Sequence, residues 1–136
     1  MDIIKAMKIS AAGMKAQGAR LRVIAQNLAN ADSLPKAPGE DPYTRKIVTF
    51  KNELDRKLGT ETVKVDRITS VKTTFEKKLD PTHPAADADG YVAIPNVDSL
   101  VEMIDMREAQ RSYEANLSVI EVSKGMLQGT IGLLER

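Results

Sequence analysis

Apolar residues follow three regimes along the chain. Over the first 30 residues they recur at alternating steps of three and four. With Ile4, Ala11, Gly18 and Ala25 on heptad position a, Met7, Met14, Leu21 and Leu28 fall on d. Four heptads in phase without a proline predict a helix buried along one seam, and the small a residues let a partner backbone come close. Asn30 and the polar "ADS" after it predict where that helix stops. The last 40 residues repeat the pattern with Met103, Met106, Gln110, Tyr113, Leu117, Ile120, Lys124, Leu127, Ile131 and Leu134, and only Gln110 and Lys124 break its polarity. "SLVE", Ser99 to Glu102, matches a capping box, with Asn96 or Asp98 as caps for an earlier start.

The stretch between them changes character. "SLPKAPGEDP" holds three prolines and a glycine and predicts a loop. "YTRKIVTF" (Tyr43 to Phe50) is rich in β-branched and aromatic residues, and "TVKVDRITSVKTTF" (Thr62 to Phe75) alternates apolar and polar. "GYVAIP" is a short strand ending at Pro95. The predicted fold is therefore mainly α with a small β-rich insert. Residues 1–31 and 97–136 form paired terminal helices, and 32–96 form the loop and insert.

Each helix has one apolar stripe and cannot hold itself together alone in water. A chain that leaves by one helix and returns by another brings the two together as an antiparallel coiled coil. Charge supports that sense. Heptad position e carries Lys8, Lys15 and Arg22 on the first helix, and Glu114, Glu121, Gln128 and Glu135 on the last. The register that joins these edges sets Arg22 near Glu114, Lys15 near Glu121 and Lys8 near Gln128. Each exposed pair contributes only ~0.2–1 kcal/mol, whereas burying a large apolar side chain contributes roughly 1.5–3 kcal/mol. Charge thus selects orientation while the seam supplies stability. Ile3, Val23, Ile24, Val119, Val122 and Leu133 lie off the seam. They either widen it or make a second face for other subunits, since such residues left open would be adhesive.

Composition narrows the function. The 136 residues carry 20 basic and 19 acidic side chains, a formal charge of +1. That balance argues against a nucleic-acid binder, which would be visibly basic. Without cysteine there is no thiolate metal site or cysteine nucleophile. No apolar run approaches the ~20 residues of a membrane span. Lys5 and Lys8 interrupt the apolar start, so a cleaved secretory signal is not expected.

The densest polar cluster, "DPTHPAADADGYVAIPN" (Asp80 to Asn96), contains Asp87, Asp89 and the single His83. Counted from Asp87 as an EF-hand loop, glycine stands fourth rather than sixth and Asp98 stands where glutamate is needed. One His without Cys does not make a typical zinc site. The segment instead predicts a turn-rich loop in which Pro81, Pro84 and Gly90 set the backbone and the Asp side chains cap amides. Gly13 and Gly18 inside the first helix cost about 1 kcal/mol each relative to Ala, which points to close helix approach.

Several long motifs in order resemble the bacterial flagellar rod–hook axial proteins. "VIAQNLANADS" (Val23 to Ser33) and "RSYEANLSVIEVSKGML" (Arg111 to Leu127) are similar to motifs general to that family. "YTRKIVTF" after a proline-rich loop, and "DPTHPAADADGYVAIPNVD" before the last helix, resemble its small proximal-rod C type. "SAAGM" (Ser10 to Met14) departs conservatively from the family pattern. The resemblance implies a structural subunit without catalytic activity or cofactor. It would be exported through the flagellar type III apparatus without a cleaved signal and built into the periplasm-spanning rod of the basal body. Its implied partners are itself, other rod subunits and the adaptor proteins of the export gate and rod base, with no nucleic acid or small-molecule substrate. The residues it assigns to assembly are the seam (Ile4, Met7, Met14, Leu21, Leu28, Tyr113, Leu117, Ile120, Leu127, Ile131 and Leu134), Asn27 and Asn30 at the helix exit, and Glu114 and Asn116. To these it adds Asp80, His83, Asp87, Asp89, Tyr91 and Asn96 of the loop. Two other classes stay distinguishable. A cytosolic coiled-coil adaptor predicts a stable soluble dimer, and a metal-dependent hydrolase on Asp87, Asp89 and His83 predicts bound metal.

Overall fold

A computed structural model describes residues 2–135. Helix α1 spans Ile3–Ala29, and helix α2 spans Ser99–Leu134. Between them run strands β1 (Lys46–Asp55), β2 (Thr60–Ser70), β3 (Lys77–Leu79) and β4 (Tyr91–Ala93). The fold is mainly α with a small β insert made of two separate two-stranded sheets, β1–β2 and β3–β4. In the second sheet the strands are antiparallel, pairing Lys77 with Ala93, Lys78 with Val92 and Leu79 with Tyr91.

Local chemistry explains each boundary. Asp2 starts α1, its Oδ1 accepting the Ile4 amide at 3.0 Å and the Lys5 amide at 3.3 Å. At the other end the Asn30 side chain donates to the Gln26 carbonyl at 2.8 Å and accepts from the Ser33 hydroxyl at 3.0 Å. Asp98 starts α2, with its Oδ1 2.9 Å from the Leu100 amide and 3.3 Å from that of Val101. Of the starts read from the sequence, the cap at Asp98 is the one adopted, and the Ser99–Glu102 capping box does not form. Ser99 is the first helical residue and Glu102 turns inward, because its carboxylate has buried partners elsewhere.

The expected strand at Tyr43 begins three residues later, at Lys46. The amides of Arg45 and Lys46 are taken by the side chains of Asn96 and Asn27 instead of a neighbouring strand. β1 runs on through "KNELD" to a turn in which the Asp55 carboxylate accepts the Lys57 amide and Gly59 adopts a φ of +62°. β3, short and charged, carried no readable signal. It exists through its pairing with β4.

The chain gathers into two compact units. The first takes α1 up to Leu21, Val48–Arg67 and α2 from Arg107 onward, and the second takes Arg22–Ile47 and Ile68–Met106. Small residues fill the first unit: Ser10, Ala16, Thr62, Ala109 and Ser123 are all buried. A Cβ placed on Gly13 would lie 2.8 Å from Asn116 Nδ2, so the side chain of Asn116 lies against the bare backbone there. Arg20 reaches Glu108 at 3.5 Å. These contacts lie one heptad away from the expected register, which would have set Gly13 near Ser123.

The row of α2 that turns inward also differs from the expected one. Glu102, Ala109 and Ser123 are buried and Asn116 half-buried, whereas Met103, Gln110, Leu117, Lys124 and Ile131 are exposed. Both rows repeat every seven residues, so periodicity does not choose between them. Small side chains do, because they permit the close approach that Gly13 and Ala16 invite.

Candidate subunit-assembly site

Within the second unit, Asn27 on α1 holds a polar cluster together. Its Nδ2 donates to the Lys46 carbonyl at 2.8 Å and to Glu102 Oε2 at 3.2 Å. Its Oδ1 accepts from the Lys46 amide at 2.9 Å and from the Tyr43 hydroxyl at 2.9 Å. One amide side chain thus satisfies both backbone groups of Lys46, as a strand neighbour would.

Glu102, 1% exposed, is the carboxylate of this cluster. The Arg45 Nε donates to its Oε1, and Arg45 Nη2 reaches Asp105 Oδ2 at 3.4 Å. Burial raises the pKa of the Tyr43 hydroxyl, and the charge of Glu102 raises it further. Asn96 extends the network: its Oδ1 accepts the Arg45 amide at 2.7 Å, and its Nδ2 donates to the Val71 carbonyl at 3.1 Å and Thr73 Oγ1 at 2.8 Å. Val23 and Ile24, which sequence placed off the seam, are among the buried apolar residues of this unit. Asn27 and Asn96 were read from the sequence as interaction residues. Glu102, Arg45 and Tyr43 were not, since a glutamate three residues past a serine signals a cap more readily than a buried carboxylate.

The loop from Asp80 to Asn96 is built on Asp87. Its Oδ1 accepts the amides of Tyr91 at 2.8 Å and Asp89 at 3.1 Å, and its Oδ2 accepts from Lys77 Nζ at 2.9 Å. Those bonds hold the Asp87 carboxyl below the usual range, the Lys77 contact contributing most, and the same contact raises the Lys77 pKa. Asp80 is lowered chiefly by the hydroxyl of Thr82. His83 Nδ1 accepts the Ala85 amide at 3.1 Å. Gly90, at a φ of +83°, also lies against Pro81, whose Cγ would be 3.1 Å from an added Cβ. Among the described residues no group of three or more His, Asp or Glu is placed to hold a metal ion. Asp89 and Tyr91 are exposed, and Asp80, His83 and Asp87 half-buried.

The remaining expected residues divide by exposure. Met7, Met14, Leu21, Leu28, Tyr113, Ile120 and Leu127 are half-buried. Ile4, Glu114, Leu117, Ile131 and Leu134 are exposed. Ile4 and Met7 share one open hollow with Ile120 and Leu127. Beyond it α2 leaves Val119, Val122, Met126, Leu133 and Leu134 open, the last two 75% and 82% exposed. Exposed apolar surface of this extent on one helix is of the kind that marks interaction faces.

Two end helices around a small β insert, with the last one apolar to its tip, suit a protein completed by its neighbours. The flagellar basal body rod FlgEFG protein C-terminal family matches residues 88–133, the stretch that runs from the end of the loop through most of α2. Relatives narrow this further. The chain is 48% identical over 130 residues to the flagellar basal-body rod protein FlgC of Agrobacterium fabrum, covering 96% of this chain and 94% of that one. It is 38% identical to the FlgC of Salmonella typhimurium, with 98% of each covered, and 38% identical to that of Bacillus subtilis, with 93% and 95% covered. The chain belongs to the FlgC family and is a structural subunit of the flagellar rod.

Proposed function

We propose that the chain polymerises with itself and with other rod subunits into the helical drive shaft of the flagellum. The shaft transmits torque and encloses the export channel. The observation that carries this reading is the open apolar surface of α2 from Leu117 to Leu134. Each large side chain covered there contributes roughly 1.5–3 kcal/mol, so repeated head-to-tail contacts along a non-closing helix stabilise each copy through its neighbours.

The inner rod domain is residues 1–31 with 97–136, an antiparallel coiled coil of α1 and α2. Its support is the order of contacts: Ile4 and Met7 beside Ile120 and Leu127, Gly13 beside Asn116, Arg20 beside Glu108. Numbers rise along one helix as they fall along the other. Residues 32–96 form the outer element, with Asp80, His83, Asp87, Asp89, Tyr91 and Asn96 in the loop that meets neighbouring components. The subunit leaves through the type III export apparatus without a cleaved signal and joins adaptor proteins at the export gate and rod base. Its work is mechanical, with no catalysis.

The test is to supply the chain to cells of its own species lacking it, then isolate basal bodies. The reading expects restored motility and the full-length chain within the rod fraction. A chain recovered only as a cytosolic dimer, in cells that swim without it, would replace this reading with the coiled-coil adaptor.

A further inference from the structure

The two charged edges that the sequence suggests should meet within the chain do not do so. Among the described residues, Lys8 and Lys15 of α1 and Glu114 and Glu121 of α2 make no ion pair, and all four are exposed. Lys8 and Lys15 instead border a groove of about 500 Å³ in the first unit. Ala11, Ala12 and Ala16 form one wall, and Leu58 and Val63 of the β1–β2 hairpin form the other. The groove is mainly apolar, and its charged residues are Lys8, Lys15, Lys57 and Lys64 against the single acidic Asp55, whose carboxylate caps the hairpin turn. On α2, Leu117 lies between Glu114 and Glu121 on one stripe and is 38% exposed.

These two surfaces are complementary. Each pair of like charges is one heptad apart, roughly 10.5 Å along a helix. Between the lysines sit alanines, which leave a hole; between the glutamates sits a leucine, which makes a knob. We propose that the lysine-rimmed groove of one copy receives α2 of a second copy, Leu117 entering over Ala11 and Ala12 while the glutamates meet the lysines. Charge complementarity at matched spacing selects a second copy as the occupant. The proposal rests on the assembly reading above and specifies which faces meet. In a helical assembly all copies keep one sense along the axis, so an antiparallel pairing within the chain makes this contact antiparallel too. Lys15 then meets Glu114, and Lys8 meets Glu121.

Charge reversal tests it, because two variants that fail alone should succeed together. Lys8→Glu with Lys15→Glu makes both faces acidic, and Glu114→Lys with Glu121→Lys makes both basic. Each set alone places like charges opposite one another, and rod incorporation should fall by about tenfold or more. Co-expressed, the two alternate along the assembly with every contact satisfied, and incorporation recovers. The fourfold variant in a single chain also incorporates, which guards against misfolding of either set. Normal incorporation of either set alone, or no recovery on co-expression, would overturn the contact, the second outcome returning the charges to an intrachain role. Wild-type chain in the same preparation reports on the rod reading separately, since its absence from basal bodies sinks that reading whatever the variants do.

Discussion

The two ends of α2 solve opposite problems. Near its start Glu102 is a buried carboxylate with Arg45 and Asn27 on its oxygens. Near its finish Leu133 and Leu134 are large apolar side chains left in solvent. A charge inside and leucines outside invert the usual distribution, and the difference lies in where each group finds its partner. The first end is completed by the chain's own loop and first helix. The second, in the proposed assembly, is completed by neighbouring subunits. On that reading one helix carries both a fixed anchor and an adhesive surface.

The largest expected effect breaks the anchor. Glu102→Ala strips Arg45 of its buried partner and leaves Asn27 Nδ2 short of an acceptor, and should destabilise the free chain by about 3 kcal/mol in urea unfolding. A loss under about 1 kcal/mol would mean that water replaces the carboxylate. Asn27→Ala comes next, near 2 kcal/mol, since the amide and carbonyl of Lys46 and the Tyr43 hydroxyl lose their partner.

Glycines sharpen the comparison at smaller magnitude. Gly13→Ala meets Asn116, and a shift of that side chain offsets the helix-propensity gain. At Gly125 and Gly129 an added Cβ meets nothing within 4 Å. Alanine at either should stabilise the free helix by roughly 0.8–1 kcal/mol, read as higher helicity and a raised melting point. If Gly13→Ala gained as much as Gly129→Ala, the tight approach at Asn116 would be disproved.

The smallest effect concerns pH. The Asp87 carboxyl is lowered by Lys77 and the Tyr91 amide. Its contribution is thus complete above the ordinary carboxylate pKa of about 3.9 and is lost as pH falls through the lowered value. The protection of the Tyr91 amide from hydrogen exchange, taken relative to its intrinsic rate at each pH, should fall below about pH 4 in the native chain. Asp87→Asn keeps an acceptor but no titration, and should flatten that dependence.

What the sequence made legible follows from range. Both helices were readable because a three-four repeat over four heptads is a local signal, and the Asp87 turn because prolines and glycine mark it. Which row of α2 turns inward was not readable, since Ala109, Asn116 and Ser123 keep the same seven-residue period as Gln110, Leu117 and Lys124. Only the bare backbone of Gly13 on the other helix decides between them. Asn27 could be singled out as a helix-exit residue, but its link to Glu102 spans 75 positions. Nothing local announces such a bond. β3 was illegible for the same reason, a charged tripeptide made a strand by a partner more than ten residues away.

The most direct test of the division along α2 is hydrogen exchange followed by mass spectrometry, on the free chain and on isolated basal bodies. The account predicts slow exchange for the first two turns of α2 in both samples. From Leu117 to Leu134 it predicts fast exchange in the free chain and slow exchange in the rod. Equal protection of that second stretch in both would contradict it, because the adhesive end would then be stable without neighbours.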